Sequence, residues 1–239
     1  MTFSIAQSNF EALCQNPYPG RGLVIGRSHD ENGDDHWLMV YWIMGRSVQS
    51  RNRRFVAEAG RLRTEPVDAS LVKDASLIIY EAMLELDGIY LVSNGDQTRT
   101  VYEALRAGGS FDDALAQRER EPDAPNFTPR ITGMLELHRA AVTLNILKAN
   151  ALDVMQTDRI TFRPALPVAG YGFGLTTYRG DGNPLPSFNG EALLLPLEGS
   201  AETVLETYWQ ALNADNRVSL AVKDIWGGGK TRLLVRNRF

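Results

Sequence analysis

The chain has 239 residues, of which 44% are hydrophobic and 23% charged, so it is long enough to bury a large core and has the composition of a globular protein. Its 25 basic and 29 acidic side chains give a formal charge of −4, which argues against the broad basic face of a general nucleic-acid binder. Cys14 is the only cysteine, so an intramolecular disulfide and a thiolate metal cluster are excluded.

Two further features of composition suggest a cytoplasmic protein. The first ten residues have neither a cationic leader nor a long apolar run. No later segment reaches the roughly 18 uninterrupted apolar residues of a membrane span. We therefore expect no membrane partner.

The first predicted elements form a β-hairpin. Apolar runs at 23–25 and 37–44 flank the polar stretch 29–35, which has the composition of a turn. The second strand leads into the arginine run, Gly45-Arg46-Ser47-Val48-Gln49-Ser50-Arg51-Asn52-Arg53-Arg54, which contains four arginines and no carboxylate. These arginines are therefore expected at a strand end and in the loop after it.

The middle of the chain predicts one strand followed by two helices. The strand, 89–92, ends at Ser93-Asn94-Gly95, a turn sequence that accepts positive backbone torsions. Helical composition covers 98–107 and 110–119, with Ser110 as the N-cap of the second helix.

The C-terminal part mixes both kinds of element. Short β-like runs lie among glycine-rich turns in 141–180, and we interpret 170–174 and 227–229 as tight turns. A helix is predicted over 200–212 with Ser200 as N-cap, followed by a strand over 217–225. With no repeating βαβ pattern and no linker, the order indicates an α+β protein with antiparallel sheets.

The arginine run has the chemistry of an anion site. Guanidinium groups keep their charge at physiological pH and match phosphate oxygens two at a time, and the serines and asparagine between them add neutral donors. Arg53 and Arg54 are consecutive, so only one of them can readily face a site if the chain is extended there. The alternative is a solvated basic turn.

Five segments in order carry a family resemblance: 18–26, the arginine run, 79–82, 92–98 and 126–131. In this order and spacing they resemble the archaeal-type IMP cyclohydrolase family, which closes the purine ring in the last step of inosine monophosphate synthesis. The resemblance begins near Tyr18 and reaches the region from Gly199 to Trp209. It suggests a single domain over 1–239, in which 1–17 is an N-terminal extension.

The resemblance implies both a fold and a reaction. The fold is a four-layer αββα sandwich of two mainly antiparallel sheets, like that of the N-terminal-nucleophile hydrolases. The reaction closes 5-formamidoimidazole-4-carboxamide ribonucleotide to inosine monophosphate with loss of water and without a cofactor. The expected partner is therefore a small purine nucleotide, and whether the protein forms a homo-oligomer stays open.

The resemblance also implies site residues. The catalytic set is Tyr80, Asn94 and Arg46. The substrate-binding set is Arg21, Ser47, Arg51, Asn52, Asp123, Asn126 and Arg130.

Each of these assignments has a structural alternative. Tyr80 is either a donor to the developing oxyanion or a core residue, and Glu81 stands after it where the family often has asparagine. Asn94 is a donor to the substrate or only a turn residue. Arg130 and its neighbours bind substrate or only anchor a loop.

Other functions are left open by the sequence. His29, His36 and His138 lack metal-ligand spacing, so no metal site is expected. An N-terminal-nucleophile amide hydrolase would use Thr2 after removal of Met1, or Cys14, although both precede the region of resemblance. A third alternative is a purine-nucleotide-binding protein without turnover.

Overall fold

The computed structural model describes residues 2–30, 33–72 and 79–239. Within these ranges the chain forms five α-helices and thirteen β-strands. In chain order they are α1 (Thr2–Gln15), β1 (Gly22–His29), β2 (Asp35–Met44), α2 (Val48–Arg51), β3 (Arg54–Glu58), β4 (Arg61–Glu65), β5 (Glu81–Leu86), β6 (Ile89–Ser93), α3 (Gln97–Arg106), α4 (Phe111–Ala116), β7 (Arg130–Glu136), β8 (Ala141–Ala149), β9 (Thr157–Phe162), β10 (Gly170–Thr176), β11 (Leu193–Leu197), α5 (Ala201–Ala211), β12 (Arg217–Trp226) and β13 (Thr231–Asn237).

The strands form two antiparallel sheets. The first sheet has six strands in the order β11-β10-β1-β2-β12-β13, and the second has seven in the order β3-β4-β5-β6-β7-β8-β9. Neighbouring strands pair antiparallel throughout both sheets. The predicted antiparallel organisation is confirmed.

The apolar run of β2 is continuous because both faces of its sheet are covered. Met39, Tyr41 and Ile43 point into a core between the two sheets, whereas Val40 and Trp42 point into a second core on the opposite face. A strand buried on both faces loses the alternation of a half-exposed strand. The hairpin of β1 and β2 thus lies at the centre of the molecule.

Helices close the outer faces of both sheets. Leu13 of α1 and Tyr208 of α5 pack with Trp42 on the first sheet. Val101 of α3 and Phe111 of α4 pack on the second sheet in a third core. The order helix, sheet, sheet, helix confirms the predicted αββα sandwich, while its likeness to N-terminal-nucleophile hydrolases stays a prediction.

Several predicted elements are confirmed. The hairpin forms as β1 and β2, although its predicted turn includes residues 31 and 32, which lie outside the described ranges. Ser110 and Ser200 cap α4 and α5, each accepting a hydrogen bond from a backbone N–H three residues on.

One prediction about local structure is wrong, and one helix was not predicted. Helix α1 was not predicted, because it has neither an acidic first turn nor a basic last turn. The segment 170–174 is strand β10, whose glycines let the backbone approach its neighbours: a Cβ on Gly174 would lie 2.5 Å from the carbonyl oxygen of Leu23. The predicted turn after β6 forms at Asn94 and Gly95, although neither residue adopts positive φ, and Gly95 leaves room for Arg130.

Within the described ranges, the structure contains no helix with the length and hydropathy needed to cross a bilayer.

Candidate active site

A cleft of about 470 Å³ opens where loops from both sheets meet. It is bordered by the segment before β1, the loops on either side of α2, the loop before β7 and the segment after β10. The lining side chains are those of Tyr18, Arg21, Met44, Arg46, Ser47, Gln49, Ser50, Arg53, Glu121, Asp123, Asn126, Thr128, Tyr178 and Leu185.

Backbone pairing at the ends of two strands fixes one wall of this cleft. The N–H of Thr177 donates to the carbonyl of Arg21 at 2.8 Å, and the N–H of Arg21 donates to Oγ1 of Thr177 at 3.1 Å. This exchange extends the pairing of β1 with β10. It brings the side chains of Arg21 and Tyr178 to the same cleft.

Two arginines of the cleft are buried with unused donors. Arg21 is 9% exposed and Arg53 8% exposed. Nε of Arg21, and Nε and Nη1 of Arg53, find no hydrogen-bond partner among the described residues. Unpaired buried donors on charged groups are costly, which makes this pair a strong candidate for binding an anion.

Glu121 is the buried carboxyl of the cleft. It is 4% exposed, and its Oε2 lies 3.9 Å from Nη2 of Arg21. Burial raises the pKa of Glu121, because the loss of water outweighs the attraction of Arg21 and Arg130 for the carboxylate. A carboxyl in this position keeps its proton to higher pH than an exposed glutamate does.

The same surroundings shift the pKa values of the two arginines in opposite directions. Burial alone would lower the pKa of Arg21, but the neighbouring Glu121 raises it above its ordinary value. Burial and repulsion from Arg21 lower the pKa of Arg53. A nearby anion would therefore stabilise the charged form of Arg53 more than that of Arg21.

A hydrogen-bonded chain lines another side of the cleft. Oδ1 of Asp123 accepts from the backbone N–H of Thr128 at 2.6 Å, and Oδ2 accepts from the Thr128 hydroxyl. The oxygens of Thr128 and Tyr178 are 2.5 Å apart. Burial raises the pKa of Tyr178 to about 12, so its phenol stays protonated at neutral pH.

A pair of tyrosines lies in the inter-sheet core near the arginines. The hydroxyls of Tyr41 and Tyr80 are 2.7 Å apart, and both residues are buried. Burial raises the pKa of both phenols, and each interacts electrostatically with Arg21 and Arg53. Both tyrosines therefore belong to the same charged cluster as the arginines.

The similarity of the sequence to known proteins identifies its family. The family model described as IMP cyclohydrolase-like protein matches residues 18–229. The chain belongs to this family. The resemblance inferred from the five segments is thereby confirmed, and its start at Tyr18 coincides with the start of the family match.

A curated relative adds support at moderate distance. The chain is 32% identical over 124 residues to the IMP cyclohydrolase of Methanothrix thermoacetophila. That match covers 49% of this chain and 57% of the relative, so it spans little more than half of the archaeal protein.

Five of the ten residues predicted for the site line the cleft of this IMP cyclohydrolase-like protein: Arg21, Arg46, Ser47, Asp123 and Asn126. Arg46 forms an ion pair with Asp181, and its guanidinium lies 4.8 Å from the ring centroid of Tyr18. Ser47 caps the short helix α2, and Asn126 accepts a hydrogen bond from the backbone of Leu185.

Arg51 and Asn52 lie outside the cleft lining and make structural bonds. Nε of Arg51 donates to the carbonyl of Gly45 at 2.9 Å, and its Nη2 contacts Asn216. The Asn52 amide exchanges two hydrogen bonds with the backbone of Asp68, both of 2.7 Å. These bonds hold the loop that carries Arg53, so the direct substrate contacts predicted for Arg51 and Asn52 are not supported.

Asn94 and Arg130 likewise serve the loop before β7. The Asn94 amide donates to the carbonyl of Pro129 at 2.9 Å and accepts from the N–H of Ile131 at 2.8 Å. Arg130 donates to Asp96 and Gln97, both at 2.8 Å. The side chain of Asn94 is thus committed to the fold, whereas the charge of Arg130 still acts on Glu121.

Several residues of the cleft were not in the predicted set, among them Glu121, Thr128 and Tyr178. Glu121 follows Arg118-Glu119-Arg120, a run typical of a solvated surface, and only burial distinguishes it. Tyr178 lies beyond a glycine-rich strand that was interpreted as a turn. The consecutive pair of Arg53 and Arg54 did carry a signal, because only one was expected to face a site, and Arg53 is buried while Arg54 is exposed.

Metal ligation has no support in the described part of the chain, where no group of three or more His, Cys, Asp or Glu side chains could hold an ion.

Proposed function

We propose that the protein is an IMP cyclohydrolase that closes 5-formamidoimidazole-4-carboxamide ribonucleotide to inosine monophosphate with loss of water. Family membership and the similarity to the archaeal enzyme support this reaction class. The observation that carries the proposal is the buried pair of Arg21 and Arg53 with unused donors in an open cleft.

The reaction needs little besides orientation and charge stabilisation. The carboxamide nitrogen attacks a formyl carbon of the same molecule, so no enzyme nucleophile is required. Negative charge develops on the formyl oxygen during the attack. Donors fixed in a site with little water stabilise such charge without reorganising. Arg21 and Arg53 offer donors of this kind at the buried end of the cleft.

Glu121 suits the role of proton donor to that oxygen. Because burial raises its pKa, Glu121 keeps its proton to higher pH than an exposed glutamate does, which suits a proton donor. The neighbouring Arg21 then stabilises the carboxylate that forms once the proton has left. Glu121 thus performs a proton transfer that Arg21 and Arg53 cannot perform.

The phosphate is assigned to the open end of the cleft. Arg46 is partly exposed there, next to Ser47 and Ser50, so a phosphate held by these groups keeps part of its hydration. A phosphate far from the reacting atoms supplies binding energy that fixes the pose of the imidazole. The partner of Arg46 in the free protein, Asp181, is displaced or shared when the phosphate binds.

Tyr80 keeps its proposed place as a donor near the oxyanion, although the cleft lining does not include it. Its hydroxyl lies with Tyr41 within the electrostatic reach of Arg21 and Arg53. A phenol behind the arginines acts on the oxyanion directly only if the substrate reaches between them. Substitution of Tyr80 distinguishes a direct donor from a core residue.

An absorbance assay tests the function. Purified protein is mixed with the formylated nucleotide, and formation of inosine monophosphate is followed without added metal or nucleotide cofactor. The Arg21→Met variant is the inactive control, because it removes one of the two buried cations. Failure of the wild type to accelerate cyclisation over the buffer rate contradicts the proposal. Binding of inosine monophosphate without turnover assigns the protein to the nucleotide-binding alternative.

The amide-hydrolase alternative has no comparable observation. Cys14 is exposed on α1, and Thr2 is the first residue of the same helix. Leu13 of that helix packs on the outer face of the first sheet, and the described side chains of the helix, Cys14 included, do not line the cleft.

A further inference from the structure

The direction of each proton in the Asp123–Thr128–Tyr178 chain follows from the chemistry of its three groups. An ionised carboxylate can only accept hydrogen bonds, so the hydroxyl proton of Thr128 points to Asp123. Thr128 has no second proton to give. The 2.5 Å contact to Tyr178 is therefore a bond in which the phenol donates.

This orientation leaves Tyr178 as an acceptor toward the cleft. A phenol has one proton, and that proton points at Thr128. The remaining lone pair of the Tyr178 oxygen is free for an N–H of a bound molecule. Tyr178, Thr128 and Asp123 all line the cleft, and Tyr178 stacks on Tyr18 with ring centroids 6.0 Å apart, so its ring has little freedom to turn.

Solvent exposure differs among the three hydrogen-bonded residues in a way that suits proton transfer. Thr128 and Tyr178 are buried, with 1% and 3% of their surface exposed, whereas Asp123 is only half-buried. A proton accepted in the buried part of the cleft thus ends on a carboxylate that water can reach. Arg21, which acts electrostatically on Tyr178, stabilises negative charge on the phenol oxygen during transfer.

We propose that Tyr178, Thr128 and Asp123 form a proton relay that removes the proton from the attacking carboxamide nitrogen, an inference that rests on the proposed cyclisation. The bond between this nitrogen and the formyl carbon forms while the carbonyl π pair moves to oxygen. The N–H proton passes to Tyr178, the phenol proton passes to Thr128, and the Thr128 proton passes to Asp123.

The remaining steps restore the relay without any co-reactant. Glu121 protonates the oxyanion and gives the hydroxyl intermediate, and the proton on Asp123 then passes to the Glu121 carboxylate, directly or through water. The carbon–oxygen bond then breaks, and the hydroxyl leaves together with the formamide N–H proton as water. In this scheme Tyr178 is a catalytic residue that touches the substrate, and Thr128 is the residue that connects it to Asp123.

Substitutions at Thr128 test the relay with matched volume. Thr128→Val removes only the hydroxyl and keeps the branched shape. It also keeps the hydrogen bond that the backbone N–H of residue 128 donates to Asp123. Thr128→Ser keeps the hydroxyl. We expect Thr128→Val to lower kcat on the order of a hundredfold with little change in KM, and Thr128→Ser to retain most of the wild-type kcat.

Tyr178→Phe supplies an independent test, because it removes the acceptor and keeps the ring. Its kcat falls at least as far as that of Thr128→Val. The double variant falls no further than the lower of the two single variants, since groups that act as a unit are not additive. If Thr128→Val loses cooperative thermal unfolding, the kcat of Tyr178→Phe decides the question alone.

The outcomes separate the two proposals. Absence of cyclisation by the wild type overturns the proposed function and the relay with it. An active wild type with equally active Thr128→Val or Tyr178→Phe overturns the relay only. Equal losses in Thr128→Val and Thr128→Ser also overturn it, because they assign Thr128 a packing role.

Discussion

Replacing Arg53 with methionine should raise stability and lower activity at once. Arg53 is 8% exposed, and two of its donors, Nε and Nη1, have no partner among the described residues. Each unsatisfied buried donor costs about 1–3 kcal/mol of folding free energy. Methionine keeps the unbranched stem and removes that cost, so we expect a net gain of roughly 1–3 kcal/mol after the loss of packing.

The gain is measurable by thermal unfolding. For a chain of this length, about 1 kcal/mol shifts Tm by roughly 2–4 °C, so Arg53→Met should unfold roughly 2–12 °C above the wild type. Turnover should fall by about 10²–10³-fold, the effect of removing one preorganised donor from an oxyanion site. A gain in stability with a loss of function is the sign of a group retained for binding.

Arg54→Met is the matched control for this test. Arg54 is the next residue, carries the same charge and is exposed, with an ion pair to Glu65 at 3.3 Å. An exposed pair contributes at most about 1 kcal/mol, so both Tm and turnover should stay near wild type. A lower Tm with unchanged turnover in Arg53→Met would refute the interpretation of Arg53 as an anion ligand and make it a structural cation.

Five other substitutions test separate assignments. Tyr80→Phe should lower turnover on the order of a hundredfold with little loss of product affinity by calorimetry, and unchanged turnover makes Tyr80 a core residue. Thr2→Ala and Cys14→Ser should leave cyclisation intact, and loss of turnover in folded protein would revive the amide-hydrolase alternative. Asn94→Ala should cost at least about 2 kcal/mol in urea unfolding, since it leaves buried backbone groups unpaired, and an unchanged midpoint contradicts its structural role. Because burial raises the pKa of Glu121, wild-type stability should fall as pH rises from the ordinary glutamate pKa through the raised one, and Glu121→Gln should abolish that fall. Identical pH dependence of urea unfolding in both proteins contradicts this assignment.

The centre of the fold was predictable because its signals are local. The two apolar runs of the hairpin and the polar stretch between them lie within 22 residues, from Leu23 to Met44. Ser110 and Ser200 each precede a helix whose first turn contains an acidic residue, and both cap as predicted. Helix α1 escaped prediction because it carries no such signals and is stabilised by packing on the first sheet.

The site was only partly predictable because its contacts are long-range. Arg51 and Arg53 have the same side chain and lie two residues apart, yet Arg51 bonds to Gly45 and Asn216 while Arg53 turns into the cleft. Nothing in the spacing of the arginine run distinguishes them. Glu121 looks like a surface residue in the sequence, and it becomes buried only when its own loop, the one before β7, folds.

The arrangement of the buried arginines follows from how the two sheets pack. Arg21 precedes β1 of the first sheet and Arg53 precedes β3 of the second, so they become neighbours only when the sheets close over their shared core. The hydrogen bond between Tyr41 of the first sheet and Tyr80 beside the second crosses the same gap at 2.7 Å. A close-packed interior deforms little, so it holds two like charges together that would separate on a flexible loop. The large cores of the sandwich thus hold Arg53 beside Arg21, although burial and the repulsion between them lower the pKa of Arg53.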